Sequence, residues 1–281
     1  MIMRGRFLKF ICAFALCWVV APAAAMELPT PRAVGLGQGV VLSDLSSSSL
    51  LQFPSIGITS GTAILELGLL RRFELKDLDE ALIAGGYRWG QFTAVGGFSQ
   101  FGQSELYTEK TFKLAAAYHF GKAGIGATWS HQSLDFGGGY SGLSASTLGA
   151  SVSYRRHRVI LALAADNLTS PVLQVGSPAI RPQYRAAAEM IGRGSFSIVV
   201  GALFEEEHKP RFSIGQNIDV STRASLLWSF SSKPLTGAGG LEVSITNGRI
   251  GYYLSYYPTL GFTHCVSLSY CWRDDTLKAS D

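Results

Sequence analysis

Over most of its length, the chain is a succession of segments about ten residues long in which apolar side chains alternate with small or polar ones. Leu65, Leu67 and Leu69, for example, alternate with Glu66 and Gly68. Successive side chains of a β-strand point to opposite faces, so a period of two predicts strands rather than helices. Gly, Asn, Asp and Ser separate the segments, as is usual at turns between antiparallel strands. The chain is therefore predicted to be all-β.

Two all-β architectures fit this pattern: a soluble exported β protein with an apolar core, and a transmembrane barrel whose apolar side chains face lipid. Mean hydropathy is positive (+0.20) and only 16% of the residues are charged. The positions opposite the apolar ones are mostly small or polar, whereas a water-facing sheet would carry many Lys and Glu residues. Aromatic residues at segment ends fit the girdles that membrane barrels place at headgroup level. These aromatic residues are Tyr118, Phe120, Tyr154, Phe204, Trp228, Phe230, Tyr256, Tyr270 and Trp272. A transmembrane antiparallel β-barrel is therefore favoured.

The segments number about fourteen, with twelve as the alternative count, and together they predict a barrel over residues 62–272. Every second connection is short, and Asn247-Gly248 is typical of a type I′ hairpin. These short connections are predicted to be periplasmic turns. The predicted strands are 62–74, 79–88, 91–101, 105–120, 122–135, 140–155, 157–167, 182–191, 194–205, 209–219, 222–231, 239–246, 249–257 and 261–272.

Residues 1–25 are predicted to be a cleaved signal peptide. Arg4, Arg6 and Lys9 precede an apolar run of about a dozen residues, which ends in three alanines at 23–25. The run is shorter than the roughly 20 residues of a spanning helix. Removing this leader lowers the formal net charge from +4 to +1, with 21 Lys and Arg against 20 Asp and Glu. The nearly neutral mature chain gives no indication of nucleic-acid binding.

Residues 26–61 lie ahead of the first strand and are predicted to plug or line the lumen. Their glycines, Gly35, Gly37 and Gly39, are a weak match to a phosphate loop, because no strand precedes them and no lysine follows in the required position. At the other end of the barrel, residues 273–281 form a predicted C-terminal tail.

Few residues suggest catalysis or metal binding. The five histidines are scattered, and no nucleophile lies beside a base in a recognisable motif. Cys265 and Cys271 lie on one predicted strand about 20 Å apart, too far to form a disulfide, and no second ligand pair accompanies them. We therefore predict no enzymatic activity, no metal and no cofactor.

Charged residues also occupy inward positions of the predicted strands. One interpretation is that they pair with one another and make the lumen rigid, since an unpaired buried charge is costly. The other is that some of them line a solute path and set its selectivity. These residues are Glu66, Lys113, Arg185, Glu189, Arg211, Asp219, Arg223 and Glu242.

Three stretches of sequence carry a family resemblance. Residues 31–39 read Pro-Arg-Ala-Val-Gly-Leu-Gly-Gln-Gly and lead through Asp44 and a run of serines to Phe-Pro-Ser-Ile-Gly at 53–57. Residues 165–171 read Ala-Asp-Asn-Leu-Thr-Ser-Pro, and Gly-Phe-Thr-His opens the last segment at 261. This pattern resembles the FadL-like outer-membrane proteins, in particular those of the PorV/PorQ type.

The resemblance implies a plug or hatch motif in the N-terminal segment, although Phe53 replaces the asparagine that the family carries there. It also implies a location in the outer membrane of a Gram-negative-type bacterium, in contact with its lipid. The leading hypothesis is passage of small hydrophobic molecules through the barrel. The alternative is a scaffold or accessory that binds secretion-system or surface proteins. The implied motif residues are Gly35, Gly37, Gly39, Asp44, Phe53 and Pro54.

Overall fold

The structure, a computed structural model, describes residues 30–36, 42–43, 46–58, 62–103, 107–137, 142–172, 179–192, 196–206 and 208–272. Fourteen antiparallel strands close into one barrel, in which each strand pairs with its neighbours along the chain and the first pairs with the last. The prediction of a fourteen-stranded antiparallel barrel is confirmed, and the alternative count of twelve is excluded. The predicted signal peptide and C-terminal tail lie outside the described residues.

The strands follow the predicted segments closely. The largest differences are three residues, as at the end of the first strand, which was expected at 74 and lies at Arg71. The strands are β1 (Ala63–Arg71), β2 (Asp79–Trp89), β3 (Phe92–Gln103), β4 (Tyr107–Phe120), β5 (Ala123–Phe136), β6 (Leu143–Arg156), β7 (Val159–Asp166), β8 (Gln183–Ile191), β9 (Phe196–Glu205), β10 (Arg211–Ser221), β11 (Ala224–Ser231), β12 (Thr236–Ile245), β13 (Gly248–Tyr257) and β14 (Gly261–Trp272).

Helical turns are short and lie outside the strands. Two α-helical pieces, α1 (Pro31–Gly35) and α2 (Ser47–Gln52), precede the barrel, and a 3-10 turn, η1 (Pro54–Ile56), follows them. Two further 3-10 turns, η2 (Arg72–Glu74) and η3 (Lys76–Leu78), connect β1 to β2. Helices of this length are not stable alone, so α1 and α2 depend on their packing against the barrel. None of the helices in the described ranges is long and apolar enough to cross a bilayer.

The two ends of the barrel differ in their connections. At one end, here called the short-turn end, only two residues join the strands in each of the turns β2–β3, β4–β5, β6–β7, β10–β11 and β12–β13. Gly90 and Gly121 adopt positive φ in two of these turns. The opposite end, the long-loop end, carries the longer connections. The hairpin predicted at Asn247-Gly248 exists, but its two loop residues are Thr246 and Asn247, because Ile245 already pairs with Gly248.

The wall of the barrel has two chemically different faces. On β1, Leu65, Leu67 and Leu69 are exposed on the outside, whereas Glu66 between them is buried on the inside. The same alternation of exposed and buried side chains runs around the barrel. The predicted aromatic residues other than Tyr118 are exposed on the outer face. An outward apolar belt of this kind is typical of strands that cross a bilayer.

Candidate functional site

The described residues 30–36, 42–43 and 46–58, here called the N-terminal segment, lie inside the barrel. Helix α1 contacts β11 to β14 and β1, helix α2 contacts β1 to β4, and η1 contacts β4 to β6. Almost all of these residues are buried. The segment therefore touches inward-facing side chains around most of the circumference.

One wall carboxylate, Glu242 on β12, holds the first helical piece. Arg32 of α1 donates from Nε to Glu242 Oε1 at 2.6 Å and from Nη2 to Oε2 at 2.9 Å. The hydroxyl of Tyr253 donates to Oε1 at 2.7 Å, and Arg249 Nη1 lies 3.6 Å from Oε2. Arg32 and Glu242 are 3% and 1% exposed, so this bidentate pair is almost completely removed from water.

Two further wall carboxylates bind the segment through its backbone. Glu189 accepts hydrogen bonds from the N–H groups of Leu42 and Ser43 at 2.7 and 2.6 Å, and from the Ser43 hydroxyl at 2.6 Å. Glu66 accepts from the N–H and the hydroxyl of Ser48 at 2.9 and 2.7 Å. With Glu242, these residues place a carboxylate from β12, β8 and β1 at three points along the segment.

The 3-10 turn η1 approaches the wall very closely. Ser55 donates its N–H to Ser151 Oγ at 3.0 Å, and its carbonyl accepts from Ser153 Oγ at 2.6 Å. This approach requires glycine on β5, because a Cβ at Gly124 would lie 2.1 Å from the carbonyl oxygen of Ser55. The absence of a side chain there lets the backbone of the segment reach the sheet.

Replacing Gly124 with alanine should displace η1 without opening the strand ladder. The added Cβ would meet Ser55 O at 2.1 Å, and overpacking of this kind costs about 1–3 kcal/mol. Limited proteolysis of the folded barrel in detergent should then cut the N-terminal segment faster than in the wild type. Gly237→Ala is the matched control, because a Cβ there has its nearest neighbour at 3.7 Å. Equal cleavage of the two variants would contradict the close contact.

Apolar side chains of the segment cover apolar patches on the inner wall. Leu50, Leu51 and Ile58 pack in one cluster with wall residues of β1 to β4. Leu42, Phe53 and Ile56 pack in a second cluster with residues of β7 and β8, and Leu36 joins a third. The wall residues of the three clusters are Ile64, Leu82, Ala84, Val95, Ala115, Ile160, Ala162, Ala164, Ala187, Leu70, Val199, Leu227, Tyr253 and Cys265. The inner wall thus has three apolar patches beneath the segment.

A separate polar network joins three wall strands. Asp166 on β7 lies 2.9 Å from Lys113 Nζ on β4 and forms a second ion pair with Arg185 on β8. Arg185 also donates to the side chain of Gln183 at 2.9 Å. Beside this network is a cavity of about 30 Å³ bordered by Leu51 and Gln52 of the segment, enough space for one or two water molecules.

The structure separates the eight predicted lumen charges into two groups. Glu66, Lys113, Arg185, Glu189 and Glu242 lie on the inward face and form the contacts described above. Arg211 lies at the long-loop end, where its Nε donates to the carbonyl of Lys233 at 3.3 Å. Asp219 is exposed near the short-turn end and accepts a hydrogen bond from Ser225. Arg223 lies in the β10–β11 turn and is exposed.

The predicted hatch motif is described in part. Gly35 ends α1, and a Cβ there would lie 2.7 Å from a ring carbon of Tyr253. Phe53 and Pro54 are buried where α2 passes into η1. Gly37, Gly39 and Asp44 lie outside the described residues.

Sequence reasoning did not select three residues on which the site depends: Arg32, Tyr253 and Asp166. Arg32 is a single basic residue in a mostly apolar stretch, and the cost of burying a charge could have indicated an acidic partner. Asp166 belongs to the Asp-Asn-Leu stretch at 166–168, but that stretch alone gives no sign of an ion pair. Tyr253 lies in a run of tyrosines in which apolar and polar residues do not alternate clearly, so the sequence does not show that its side chain points into the barrel.

Solved structures share this architecture at very low sequence identity. A Pseudomonas aeruginosa FadL homologue matches with a TM-score of 0.64 and 9% identity over 89% of this chain and 100% of that chain. The P. putida toluene transporter TodX matches with a TM-score of 0.62 and 9% identity, over 89% of this chain and 100% of that chain. The CymD monoaromatic hydrocarbon channel matches with a TM-score of 0.60 and 9% identity, over 90% of this chain and 100% of that chain. The chain has the fold of these channels. No protein-family model and no curated protein matches its sequence.

Proposed function

We propose that this protein is an outer-membrane channel for small hydrophobic molecules, in which the N-terminal segment is the plug. The apolar clusters of the inner wall beneath the segment carry this proposal. A water-filled barrel has a polar lumen throughout, whereas here three clusters of leucine, isoleucine, valine and alanine side chains lie among the polar residues of the wall. Displacement of the segment would uncover these apolar patches, which suit a hydrophobic solute.

The fold agrees with this role. The structures with the same architecture include a toluene transporter and a monoaromatic hydrocarbon channel. By analogy, we assign this chain the same class of solute. The polar residues of the lumen then have two roles: the three carboxylates hold the plug, and the Lys113, Asp166 and Arg185 network braces the wall beside it.

Removing the plug should raise the permeability of the barrel. We expect purified protein lacking residues 26–61 to give a larger and more persistent conductance in planar bilayers than the wild type. Whole cells that carry this variant should also take up a labelled monoaromatic compound such as toluene faster. Gel mobility of unheated samples provides the folding control, since a folded barrel migrates differently from the unfolded chain.

The result that would overturn the proposal is a folded variant without residues 26–61 that shows no conductance and no increase in solute uptake. A conductance increase with uptake of sugars but not of toluene would overturn only the assigned solute class. The secretion-scaffold alternative, which came from the PorV/PorQ resemblance, receives no support from the structural matches.

A further inference from the structure

A groove on the outer wall lies at the short-turn end, away from the lumen. It is an open groove of about 440 Å³ bounded by Tyr154, Val159 and Leu161, with Arg156, His157 and Arg158 at its rim. The floor of the groove is apolar, so it suits a hydrocarbon chain, and the cations at its rim suit an anion.

The hairpin between β6 and β7 brings these two chemistries together. Arg156 pairs directly with Val159 across the hairpin, and His157 turns the chain with a φ of 51°. Tyr154 and Leu161 pair one step further from the turn on the same outer face. Arg156 and Arg158 are both exposed, and neither forms a salt bridge with another residue in the described parts of the chain. Their charge is therefore available to a ligand.

The charge balance of the two barrel ends strengthens this observation. At the long-loop end, Arg71 pairs with Asp79 at 2.8 Å and Lys110 pairs with Asp135 at 2.9 Å. Among the described residues of the short-turn end, the exposed carboxylate is that of Asp219. The exposed basic residues at that end are Lys122, Arg156, Arg158 and Arg223. The exposed charges of the short-turn end are therefore mostly basic, whereas those of the long-loop end include two ion pairs.

We infer that the groove binds one anionic phospholipid, with an acyl chain against Tyr154, Val159 and Leu161 and the phosphate on Arg156 and Arg158. Guanidinium groups bind phosphate through paired N–H donors, and basic pockets at a membrane interface bind cardiolipin headgroups in the same way. The inference places the short turns in the leaflet that contains phospholipid. It is independent of the solute that the lumen carries.

The test compares lipid binding by the full-length protein and two matched variants. Protein purified in detergent is incubated with cardiolipin, phosphatidylglycerol or phosphatidylethanolamine, and native mass spectrometry counts the bound lipid. We expect the wild type to retain cardiolipin or phosphatidylglycerol in preference to phosphatidylethanolamine. R156Q/R158Q should bind the anionic lipids about 25-fold more weakly, since each cation near an anionic surface contributes a factor of about five.

The control variant, K76Q/K209Q, removes the same charge from exposed positions of the long-loop end and should bind like the wild type. Leu161→Ala should weaken binding about four-fold for each methylene no longer covered, while keeping the preference for anionic lipid. If R156Q/R158Q and K76Q/K209Q lose the same amount of anionic-lipid binding, net charge alone explains the effect and the proposed site is wrong. Stronger binding of lipid A than of the phospholipids would also contradict the proposal. So would a result in which R156Q/R158Q loses the binding of an acidic periplasmic protein but keeps that of anionic lipid.

Discussion

Replacing Glu242 with glutamine should release the first part of the N-terminal segment. The substitution removes the carboxylate charge that Arg32 contacts at 2.6 Å and that lies 3.6 Å from Nη1 of Arg249. Breaking a fully buried ion pair by removing one partner costs about 3–5 kcal/mol. We expect a loss near the middle of this range, about 4 kcal/mol, because Arg32 and Glu242 are only 3% and 1% exposed and the pair is almost completely removed from water.

This free energy should appear as detachment of the segment rather than as unfolding of the barrel. The strand ladder closes around all fourteen strands without the segment, so the segment can leave while the barrel persists. A change of about 4 kcal/mol corresponds to roughly a thousand-fold rise in the detached population. The detached population can be measured by the rate of protease cleavage within residues 30–58 and by the open probability of the channel in planar bilayers.

Arg249→Gln is the control for Glu242→Gln, because it removes a charge from the same cluster at a position that is 28% exposed. Partly exposed pairs contribute about 0–1 kcal/mol, so its cleavage rate should stay within a few-fold of the wild type. If the two variants behave alike, Glu242 does not hold the segment in place. A double variant, Arg32→Met with Glu242→Met, should recover part of the lost stability, since it removes both charges of the buried pair.

The sequence was sufficient to predict the barrel because the barrel is periodic. In each strand the side chains point to the same face at every second residue, and the strand ends at turn residues. The number of strands and their bounds can therefore be predicted from local sequence. The same period identified Glu66, Glu189 and Glu242, since a charged residue at an inward position of an otherwise small and polar face is conspicuous. The hairpin at 246–247 was misplaced by one residue because the pairing of the flanking strands, rather than the Asn-Gly dipeptide, sets the register.

The partners of these carboxylates could not be predicted in the same way. Arg32 and Glu242 are separated by 210 positions, and the segment that carries Arg32 has no period that would relate it to the wall. Its helices have only five and six residues, so their positions follow from contacts with the barrel rather than from local preference. A lone buried charge indicates that a partner exists, but only the closed barrel shows which residue it is.

Asp166→Asn should have the second-largest effect, and a different one. Asp166 binds Lys113 and Arg185, so its replacement leaves two cations facing each other across β4, β7 and β8. The cost should lie near the lower end of the range for buried pairs, about 3 kcal/mol. The adjacent cavity of about 30 Å³ can admit water to these cations. Urea unfolding of the purified barrel measures this loss.

The two variants together distinguish holding the plug from bracing the wall. In the described parts of the chain, Asp166 pairs with Lys113 and Arg185 of the wall strands, so Asp166→Asn should lower the stability of the barrel while proteolysis of residues 30–58 and the closed conductance stay as in the wild type. Lys113→Met in the Asp166→Asn background should restore part of the stability, because it removes one of the two facing cations. An open channel in Asp166→Asn would instead mean that this network also holds the segment, and that the wall and the plug are one cooperative unit.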